Sequence, residues 1–291
     1  MRLLAIFTAW ALSIGSALAA HETTTLGGVK VDVWTREFVQ DSGNTGAQPV
    51  VIFSHGFHGC ATQSRFLMEA FASAGYLVVA PNHRDATCHG GLKHLADRLH
   101  TAFQKPASWN DDSFRDRADD IRRLIDALAT DERFRARADL NRLALAGHSL
   151  GGYTVLGLAG AWQSWKLPHV KAVLALSPYS PPFLAHDTLG GLTAPVMYQG
   201  GTLDFGILPA LRKNSGAFEQ SPEPKYFVDF DGATHFVWTN LGLGHRNEIV
   251  AYSLAFLDHY VCGERAAAVL TQRLPGVATF RYASELGRGS M

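Results

Sequence analysis

One serine in this chain lies in a pattern that can make it a nucleophile. Ser149 is the centre of the sequence Gly-His-Ser-Leu-Gly at residues 147–151, and a short apolar run at residues 142–146 precedes it. The residues that follow, 152–159, have the spacing of a helix rather than of a strand. A sharp turn between a strand and a helix is the setting that holds a serine hydroxyl clear of its neighbours. The alternative is an ordinary glycine-rich turn without chemistry.

A serine hydroxyl needs a base to activate it, and the base needs an acid to orient it. Asp204 follows an apolar run and His235 follows the next one, so the three residues occur in the order serine, aspartate, histidine. Asp229 and Asp231 are poorer candidates for the acid because they are too close to His235 in sequence to orient it. Asp187 lies in a proline-rich loop before the strand of Asp204. The sequence therefore predicts a catalytic triad of Ser149, Asp204 and His235.

The tetrahedral intermediate of acyl transfer needs two amide donors for its oxyanion. The N–H of Leu150, directly after the nucleophile, is the first candidate. The second is expected from residues 55–59, after the first buried strand, where Gly56 lets the backbone turn inward and the N–H of Phe57 is our choice. A plain glycine turn is the alternative there. The His148 side chain is expected to point away from the nucleophile and to serve packing.

Apolar runs alternate with helical patterns along most of the chain, which predicts an α/β fold with a mainly parallel, doubly wound sheet and flanking helices. Ligands bind such a sheet beyond the carboxyl ends of its strands. The predicted buried strands are residues 49–54, 76–81, 142–146, 170–176, 194–199 and 225–230, and residues 29–34 predict an early edge strand. Besides the helix after Ser149, helices are predicted at residues 64–74, 113–129 and 248–260.

Bulk composition indicates a globular protein with a substantial core. The chain has 291 residues, of which 47% are hydrophobic, and a formal net charge of zero, so no basic footprint for nucleic acid is present. Arg2, an apolar stretch at residues 3–14 and Ala-Leu-Ala at residues 17–19 predict a signal peptide over residues 1–19. One domain at residues 20–291 is then expected to be exported, to the periplasm or outside the cell, without a membrane span. A buried first helix is the alternative.

The three cysteines offer one possible disulfide. Cys60 and Cys88 each follow a predicted buried strand, so a bridge between them and no bridge are equally supported, and Cys262 stays unpaired. Metal binding near the same edge is a minor alternative because the spacing matches no standard zinc motif, and no metal is predicted. The side chains that would serve it, besides the first two cysteines, are His55, His58, His89 and His94.

These features together resemble the α/β-hydrolase family, and most closely its dienelactone-hydrolase-related branch, with platelet-activating-factor acetylhydrolase-like and cutinase-like enzymes. The resemblance covers about residues 29–260. Its motifs are residues 54–57, 80–85 and 147–152, the turn at Asp204 and the loop at residues 231–235. It implies hydrolysis of carboxylic esters through an acyl-enzyme with no cofactor. Dienelactone hydrolases have a cysteine where Ser149 stands, which argues against that particular chemistry.

The same resemblance bears on the substrate cleft. Large lids in the family follow the strand after the nucleophile's helix, and here only residues 177–193 separate two strands, so no large lid is expected. A second connection, residues 83–110, is expected to shape the entrance. The aromatic residues predicted to line an open apolar cleft are Phe57, Tyr179, Phe236 and Trp238. Such a cleft favours short- to medium-chain esters or polymer esters.

Several other functions remain compatible with the same residues. An acetylhydrolase, a lactonase or an amide or peptide hydrolase would use the same triad. A non-catalytic binding protein or a zinc-binding protein belongs to a different class. The expected partner is a small-molecule or polymer ester and not a nucleic acid, and oligomeric state is not addressed by the sequence. Residues 263–291, rich in Ala and Arg, predict a small helix followed by a mobile end.

Overall fold

One ten-stranded sheet organises the part of the chain that the computed structural model describes, which comprises residues 19–36, 46–87, 103 and 105–291. The order of the strands across the sheet is β1-β2-β4-β3-β5-β6-β7-β8-β9-β10. The strands are β1 (Ala19–Leu26), β2 (Val29–Arg36), β3 (Gln48–Ser54), β4 (Leu77–Pro81), β5 (Ala138–His148), β6 (Val170–Leu176), β7 (Val196–Gly201), β8 (Lys225–Phe230), β9 (Val277–Ser284) and β10 (Gly287–Ser290).

The six central strands, β3 to β8, are all parallel to one another. Antiparallel pairs occur only towards the two ends of the sheet, where β2 pairs with β1 and β4, and β9 pairs with β8 and β10. The predicted mainly parallel sheet is therefore confirmed. Because the central strands share one direction, the loops after β3, β5, β6, β7 and β8 emerge at one edge, where the predicted site residues lie.

Helices cover both faces of the sheet, as a doubly wound fold requires. They are α1 (Arg65–Ser73), α2 (Arg115–Thr130), α3 (Leu150–Leu156), α4 (Pro181–His186), α5 (Leu208–Arg212), α6 (Ala217–Gln220) and α7 (Arg246–Tyr260). Apolar side chains of α1 and α7 join one core cluster, and those of α2 to α6 join the other. Between β6 and β7 the chain forms only α4 and a short helical turn, so no large lid lies there.

The strand β3 shows why the centre of the sheet is apolar throughout. Val50 and Ile52 belong to the core cluster on the α2 side, whereas Val51 and Phe53 belong to the cluster on the α1 side. Alternate residues of a strand point to opposite faces, and here both faces are covered, so a continuous apolar run is needed rather than an alternating one.

The ends of the sheet differ from the prediction. Residues 29–34 lie in β2, which is not an edge strand, because β1 pairs along its outer side. The prediction of a mobile end after residue 263 is wrong: β9 extends the sheet beside β8, and Val277 and Phe280 are buried against α7 and its neighbours. The predicted short helix there corresponds to a single turn at Ala268–Thr271. Residues 1–18 of the predicted signal peptide lie outside the described residues.

Among the helices of the described ranges, none combines the length and the apolar character that crossing a bilayer requires.

One buried carboxyl group in β8 has an unusual environment. Asp229 is fully buried, and neither of its side-chain oxygens has a hydrogen-bond partner among the described residues. Its nearest cation is the half-exposed guanidinium of Arg212, at 3.7 Å. Burial raises the pKa of Asp229 from its ordinary value of 3.8 to about 6, against the opposing effect of Arg212. The carboxyl group of Asp229 therefore binds its proton more tightly in the folded protein than in the unfolded chain.

We expect Asp229→Asn to stabilise the protein above pH 6. Between pH 3.8 and 6 the folded state binds more protons at Asp229 than the unfolded state, so this group's contribution to stability falls as pH rises through that window. The asparagine does not titrate, so the variant's free energy of unfolding should exceed that of the wild type by about 1–3 kcal/mol at pH 8 and by little at pH 4. Urea unfolding across this pH range measures it. Asp231→Asn, an exposed neighbour, serves as the control, and equal gains for the two variants would contradict the prediction.

Candidate active site

Ser149 occupies the sharp turn between β5 and α3. Its φ of 55° and ψ of −116° lie in a region that residues other than glycine rarely adopt. The N–H of Ser149 donates to the Leu176 carbonyl on β6 at 3.0 Å, which fixes the turn against the neighbouring strand. Gly151 permits close packing behind it, because a Cβ on that residue would lie 1.9 Å from the Ser54 carbonyl oxygen. The hydroxyl of Ser149 is thereby held at the carboxyl edge of the sheet.

Three side chains from different loops form a continuous hydrogen-bonded row at this edge. The Oγ of Ser149 lies 2.9 Å from Nε2 of His235, and Nδ1 of His235 lies 2.7 Å from Oδ2 of Asp204. Asp204 is buried, with 5% of its surface exposed, whereas the imidazole of His235 is about one quarter exposed. A carboxylate only accepts, so Nδ1–H donates to it and Nε2 is left to accept the serine proton. The structure therefore brings together the three residues singled out by their order in the sequence.

The loops that carry Asp204 and His235 are bound to each other. Asp204 comes three residues after the end of β7, and its N–H donates to the Gly201 carbonyl at 2.9 Å. The N–H of Leu203 donates to the Ala233 carbonyl at 3.0 Å, which links this turn to the loop before His235. Because the two loops share these bonds, the separation of the carboxylate and the imidazole is set by the backbone.

Ser177, a fourth polar side chain, belongs to the same row and was not singled out from the sequence. Its hydroxyl donates to Oδ2 of Asp204 and lies 3.0 Å from Nδ1 of His235. Ser177 directly follows β6 and has a φ of 43°, a conformation that costs energy in a residue other than glycine. The signal that could have found it is its place: it follows the carboxyl end of the strand beside the one that carries Ser149.

We expect Ser177→Ala to lower kcat about 10-fold, because one hydrogen bond to the charged carboxylate of Asp204 is lost while the backbone strain is kept. Ser177→Gly removes the same hydroxyl and relieves the strain, so it should lose the same activity and unfold at higher temperature than Ser177→Ala. Steady-state kinetics and thermal unfolding on both variants measure this. Full activity in either variant would show that the hydroxyl does not orient Asp204 and His235.

The two amides expected to bind an oxyanion belong to segments on either side of Ser149. Leu150 is the first residue of α3, where backbone N–H groups have no acceptor within the helix. On the other side, a Cβ on Gly56 would lie 3.4 Å from the Cβ of Ser149, so the loop at residues 55–59 lies beside the nucleophile. The N–H groups of Gly56 and His58 donate to side chains, whereas the N–H of Phe57 has no acceptor among the described residues.

His148 does more than fill space, which corrects the expectation of a packing role alone. Its Nε2 lies 2.8 Å from the His235 carbonyl oxygen, and its Nδ1 lies 3.1 Å from Nε2 of Gln63. Burial lowers the pKa of His148 to about 3, so the ring is neutral, with Nε2–H as donor and Nδ1 as acceptor. The Oε1 of Gln63 accepts from the N–H of Gly56 at 3.1 Å. A chain of hydrogen bonds therefore joins the backbone of the His235 loop to the loop at residues 55–59.

The aromatic residues predicted to line the cleft separate into two groups. Phe57 is partly exposed and Phe236, beside His235, is 54% exposed, so both present surface near the row. The prediction for Trp238 is wrong, because its ring is fully buried and its Nε1–H donates to Gln199. Tyr179 is only 8% exposed, since its ring packs on Phe103 and its hydroxyl donates to the carbonyl of the same residue.

Exposed apolar side chains are concentrated in the loops that carry Asp204 and His235. Apart from the terminal Met291, these are all the large apolar residues that are strongly exposed in the described ranges. They are Leu203 (48%), Phe205 (76%), Phe236 (54%), Leu241 (81%) and Leu243 (91%). We call these five residues the apolar rim. A cluster of this kind is characteristic of a surface that contacts an apolar ligand or partner.

The cysteine and metal predictions fall partly outside the described residues. Cys60 is disulfide-bonded and Cys262 is a free, half-buried thiol. Cys88, the predicted partner of Cys60, lies outside the described ranges, as do His89 and His94. Within those ranges no three histidine, cysteine, aspartate or glutamate residues are grouped as metal ligands.

A second row of serine, histidine and aspartate lies in the interior. The Oγ of Ser54 is 2.9 Å from Nε2 of His83, and Nδ1 of His83 is 2.8 Å from Asp120. Ser54 is fully buried and His83 is 2% exposed. No substrate reaches a serine in this position, so we assign this row a structural role.

Several known enzymes are similar to this chain in sequence. Cutinase est2 of Thermobifida alba is 27% identical over 218 residues, which cover 72% of this chain and 59% of the relative. Cutinase 1 of Thermobifida cellulosilytica is 26% identical over 223 residues, with coverage of 72% and 68%. A monoacylglycerol lipase of Mycolicibacterium smegmatis is 28% identical over 213 residues, with coverage of 72% and 63%. The chain thus spans about three fifths of the length of the first of these relatives.

A family model gives the most direct assignment. The model of the chlorophyllase family matches residues 36–182, about half of the chain. The matched segment contains the loop at residues 55–59, the turn at Ser149 and Ser177, whereas Asp204 and His235 follow it. Together with the sheet topology and the cutinase relatives, this confirms the α/β-hydrolase fold. The protein belongs to the chlorophyllase family.

Proposed function

We propose that this protein is an exported serine hydrolase that cleaves carboxylic esters through an acyl-enzyme. The observation that carries the proposal is the row from Ser149 through His235 to Asp204, with separations of 2.9 Å and 2.7 Å between the hydrogen-bonded atoms. A serine within reach of an imidazole that a buried carboxylate orients is the arrangement that acyl transfer requires. The names of the relatives, cutinase and monoacylglycerol lipase, support an ester as the substrate.

The mechanism follows from the direction of these hydrogen bonds. Nε2 of His235 takes the proton of Ser149 as Oγ attacks the ester carbonyl, and the N–H groups of Phe57 and Leu150 stabilise the oxyanion. The imidazolium then gives its proton to the leaving alcohol, and the C–O bond of the ester breaks. Water, deprotonated by the same imidazole, attacks the acyl-enzyme, and the imidazolium returns its proton to Oγ of Ser149 as the acid is released. Asp204 holds the ring in place and stabilises its positive charge in both halves of the reaction.

The apolar rim supports apolar esters as the substrate class. Phe236 directly follows the base, and Leu203 directly precedes Asp204, so apolar surface begins beside the reacting atoms. Short- to medium-chain esters, or esters at the surface of a polymer, would contact this surface while the scissile carbonyl lies at Ser149. Removal of apolar area from water supplies the binding energy, at about 25 cal/mol per Å².

Export is part of the proposal. The charged start, apolar stretch and Ala-Leu-Ala sequence at residues 17–19 support removal of a signal peptide, which leaves one domain at residues 20–291. The disulfide at Cys60 supports an oxidising compartment, since cytosolic thiols are kept reduced. Cleavage after Ala19 keeps nearly all of β1 in the sheet. An N-terminus at residue 20 in protein recovered from outside the cytoplasm tests this part.

Labelling of the nucleophile tests the catalytic part. A fluorescent alkyl phosphonate should modify the wild-type protein at one residue, with Ser149→Ala unlabelled and Ser108→Ala, an exposed serine elsewhere, labelled like wild type. Hydrolysis of p-nitrophenyl acetate, butyrate, octanoate and palmitate should depend on Ser149. The rate on butyrate should exceed the rate on palmitate. Labelling that persists in Ser149→Ala would overturn the proposed nucleophile. Turnover of amides or lactones in preference to all of these esters would overturn the proposed substrate class.

A further inference from the structure

A buried ion pair lies against the loop at residues 55–59. Arg117, on α2, has no exposed surface, and its guanidinium binds Asp85 with two hydrogen bonds, 3.1 Å from Nε to Oδ1 and 2.8 Å from Nη2 to Oδ2. Asp85 is 3% exposed. The planar, always charged guanidinium is well suited to such a paired geometry. Neither residue has a part in the mechanism above. Burial of a charged pair costs desolvation free energy, so the presence of this pair needs a physical explanation.

Both members of the pair bind the backbone around Phe57. Nη1 of Arg117 donates to the His55 carbonyl at 2.7 Å, and Nη2 donates to the Gly56 carbonyl at 3.2 Å. On the other side of Phe57, Oδ2 of Asp85 accepts from the N–H of His58 at 3.3 Å. The peptide groups before and after Phe57 are therefore held by one rigid pair of side chains.

The Gly56 carbonyl has several hydrogen-bond donors. Besides Arg117, it accepts from the N–H of Gly59 at 2.9 Å and contacts Nδ1 of His55 at 2.7 Å. Burial and the nearby guanidinium hold the pKa of His55 well below its usual range, so the ring is neutral. Its Nε2 accepts from the N–H of His83 at 3.1 Å, so Nδ1 carries the hydrogen and donates. Three donors thus fix the direction of one carbonyl.

The direction of that carbonyl determines the direction of the next amide. The peptide bond between Gly56 and Phe57 is trans and planar, so the N–H of Phe57 points opposite to the Gly56 oxygen. This peptide lies beside the nucleophile, since a Cβ on Gly56 would come within 3.4 Å of the Cβ of Ser149. We propose that Arg117 is a positioning residue for the oxyanion hole: by holding the Gly56 carbonyl inward, it directs the N–H of Phe57 toward the oxyanion at Ser149.

This inference rests on the proposed function, because an oxyanion forms only if Ser149 attacks a carbonyl. The test therefore counts active sites first, from the burst of alcohol released by a phosphonate ester, and then measures rates per counted site. The main variant is Arg117→Met with Asp85→Asn, which removes both charges together and keeps an acceptor for His58. Arg117→Lys keeps the charge beside Asp85, but one ammonium cannot serve both loop carbonyls and the carboxylate as the guanidinium does.

Per counted site, we expect kcat for p-nitrophenyl butyrate to fall about 10- to 100-fold in the double variant and less in Arg117→Lys, with KM nearly unchanged. A trifluoromethyl ketone forms a tetrahedral adduct with the serine, so its inhibition constant should rise by the same factor as kcat falls. A role in folding alone lowers the number of sites and leaves both constants per site unchanged. If Arg117→Lys, the variant better able to fold, has an unchanged kcat per site and an unchanged inhibition constant, the inference is overturned.

Arg122→Met is the matched control. Arg122 also lies on α2, but it binds Asp119 and the carbonyl of Ser164 and has no contact with the loop at residues 55–59. Its kcat and its inhibition constant should equal those of the wild type, and equal losses in both arginine variants would contradict a specific role for Arg117. Absence of any burst in the wild-type protein would instead refute the proposed function, so the two failures are distinguishable.

Discussion

Asp204→Asn should lower kcat about 10⁴-fold while the protein still folds and binds ester. The carboxylate of Asp204 accepts the Nδ1–H of His235 at 2.7 Å and a hydrogen bond from Ser177, and it is 5% exposed. An asparagine carries no charge to stabilise the imidazolium, and its amide group can donate to Nδ1. The ring then holds its hydrogen on Nε2, where it can no longer accept the proton of Ser149.

Single-turnover and steady-state rates on p-nitrophenyl butyrate measure this effect. Asp187→Asn is the control, because Asp187 is an exposed carboxylate in the loop after β6 and has no contact with His235. Its kcat should stay within twofold of the wild-type value. The rate of Asp204→Asn should also rise with pH more steeply than that of the wild type, since hydroxide can replace the lost base. A loss of less than about tenfold would mean that Asp204 does not orient the base.

Gly151→Ala should destabilise the fold by more than about 4 kcal/mol and yield little soluble protein. A Cβ on Gly151 would lie 1.9 Å from the Ser54 carbonyl oxygen and 2.7 Å from that of His55. Both contacts are with backbone at the end of β3, which cannot rotate away as a side chain can. The strand and α3 would have to separate, and the turn at Ser149 would open with them.

Soluble yield and urea unfolding of any recovered protein measure this second effect. Gly190→Ala is the matched control, because no atom from another part of the fold lies within 4 Å of the position its Cβ would take. That variant should fold with a stability within about 0.5 kcal/mol of the wild type, as is usual for surface substitutions. A soluble Gly151→Ala protein with normal stability would show that β3 and α3 are not in close contact.

The centre of the fold could be predicted from the sequence because its signals are local. The run at residues 170–176 is apolar except for Lys171, and the strand β6 has those bounds. The end strands have a weaker pattern for a physical reason: in β9 only every third residue (Val277, Phe280 and Ala283) is buried, so the strand lacks the alternation that would mark it in an Ala- and Arg-rich tail. β1 overlaps the predicted end of the signal peptide, where composition indicated a different role.

The candidate site also contains some residues that the sequence predicts and others that it does not. Ser149, Asp204 and His235 could be singled out because each has a distinctive position after a strand and the order along the chain is informative. Ser177 and Arg117 could not be, since a serine after a strand and an arginine in a charged helix are common. Their roles come from contacts made across the fold. Trp238 was misplaced for a related reason, because proximity to His235 in sequence does not determine which way a ring points.

The interior row of Ser54, His83 and Asp120 has a consequence of its own. It repeats the side-chain types and nearly the same separations as the row at Ser149, with 2.9 Å between serine and histidine and 2.8 Å between histidine and aspartate. One protein thus contains the same hydrogen-bond pattern twice, once facing solvent and once sealed from it. The distances between the hydrogen-bonded atoms do not distinguish the two rows. Only the row at Ser149 is accessible to a substrate, so accessibility separates the candidate catalytic row from the structural one.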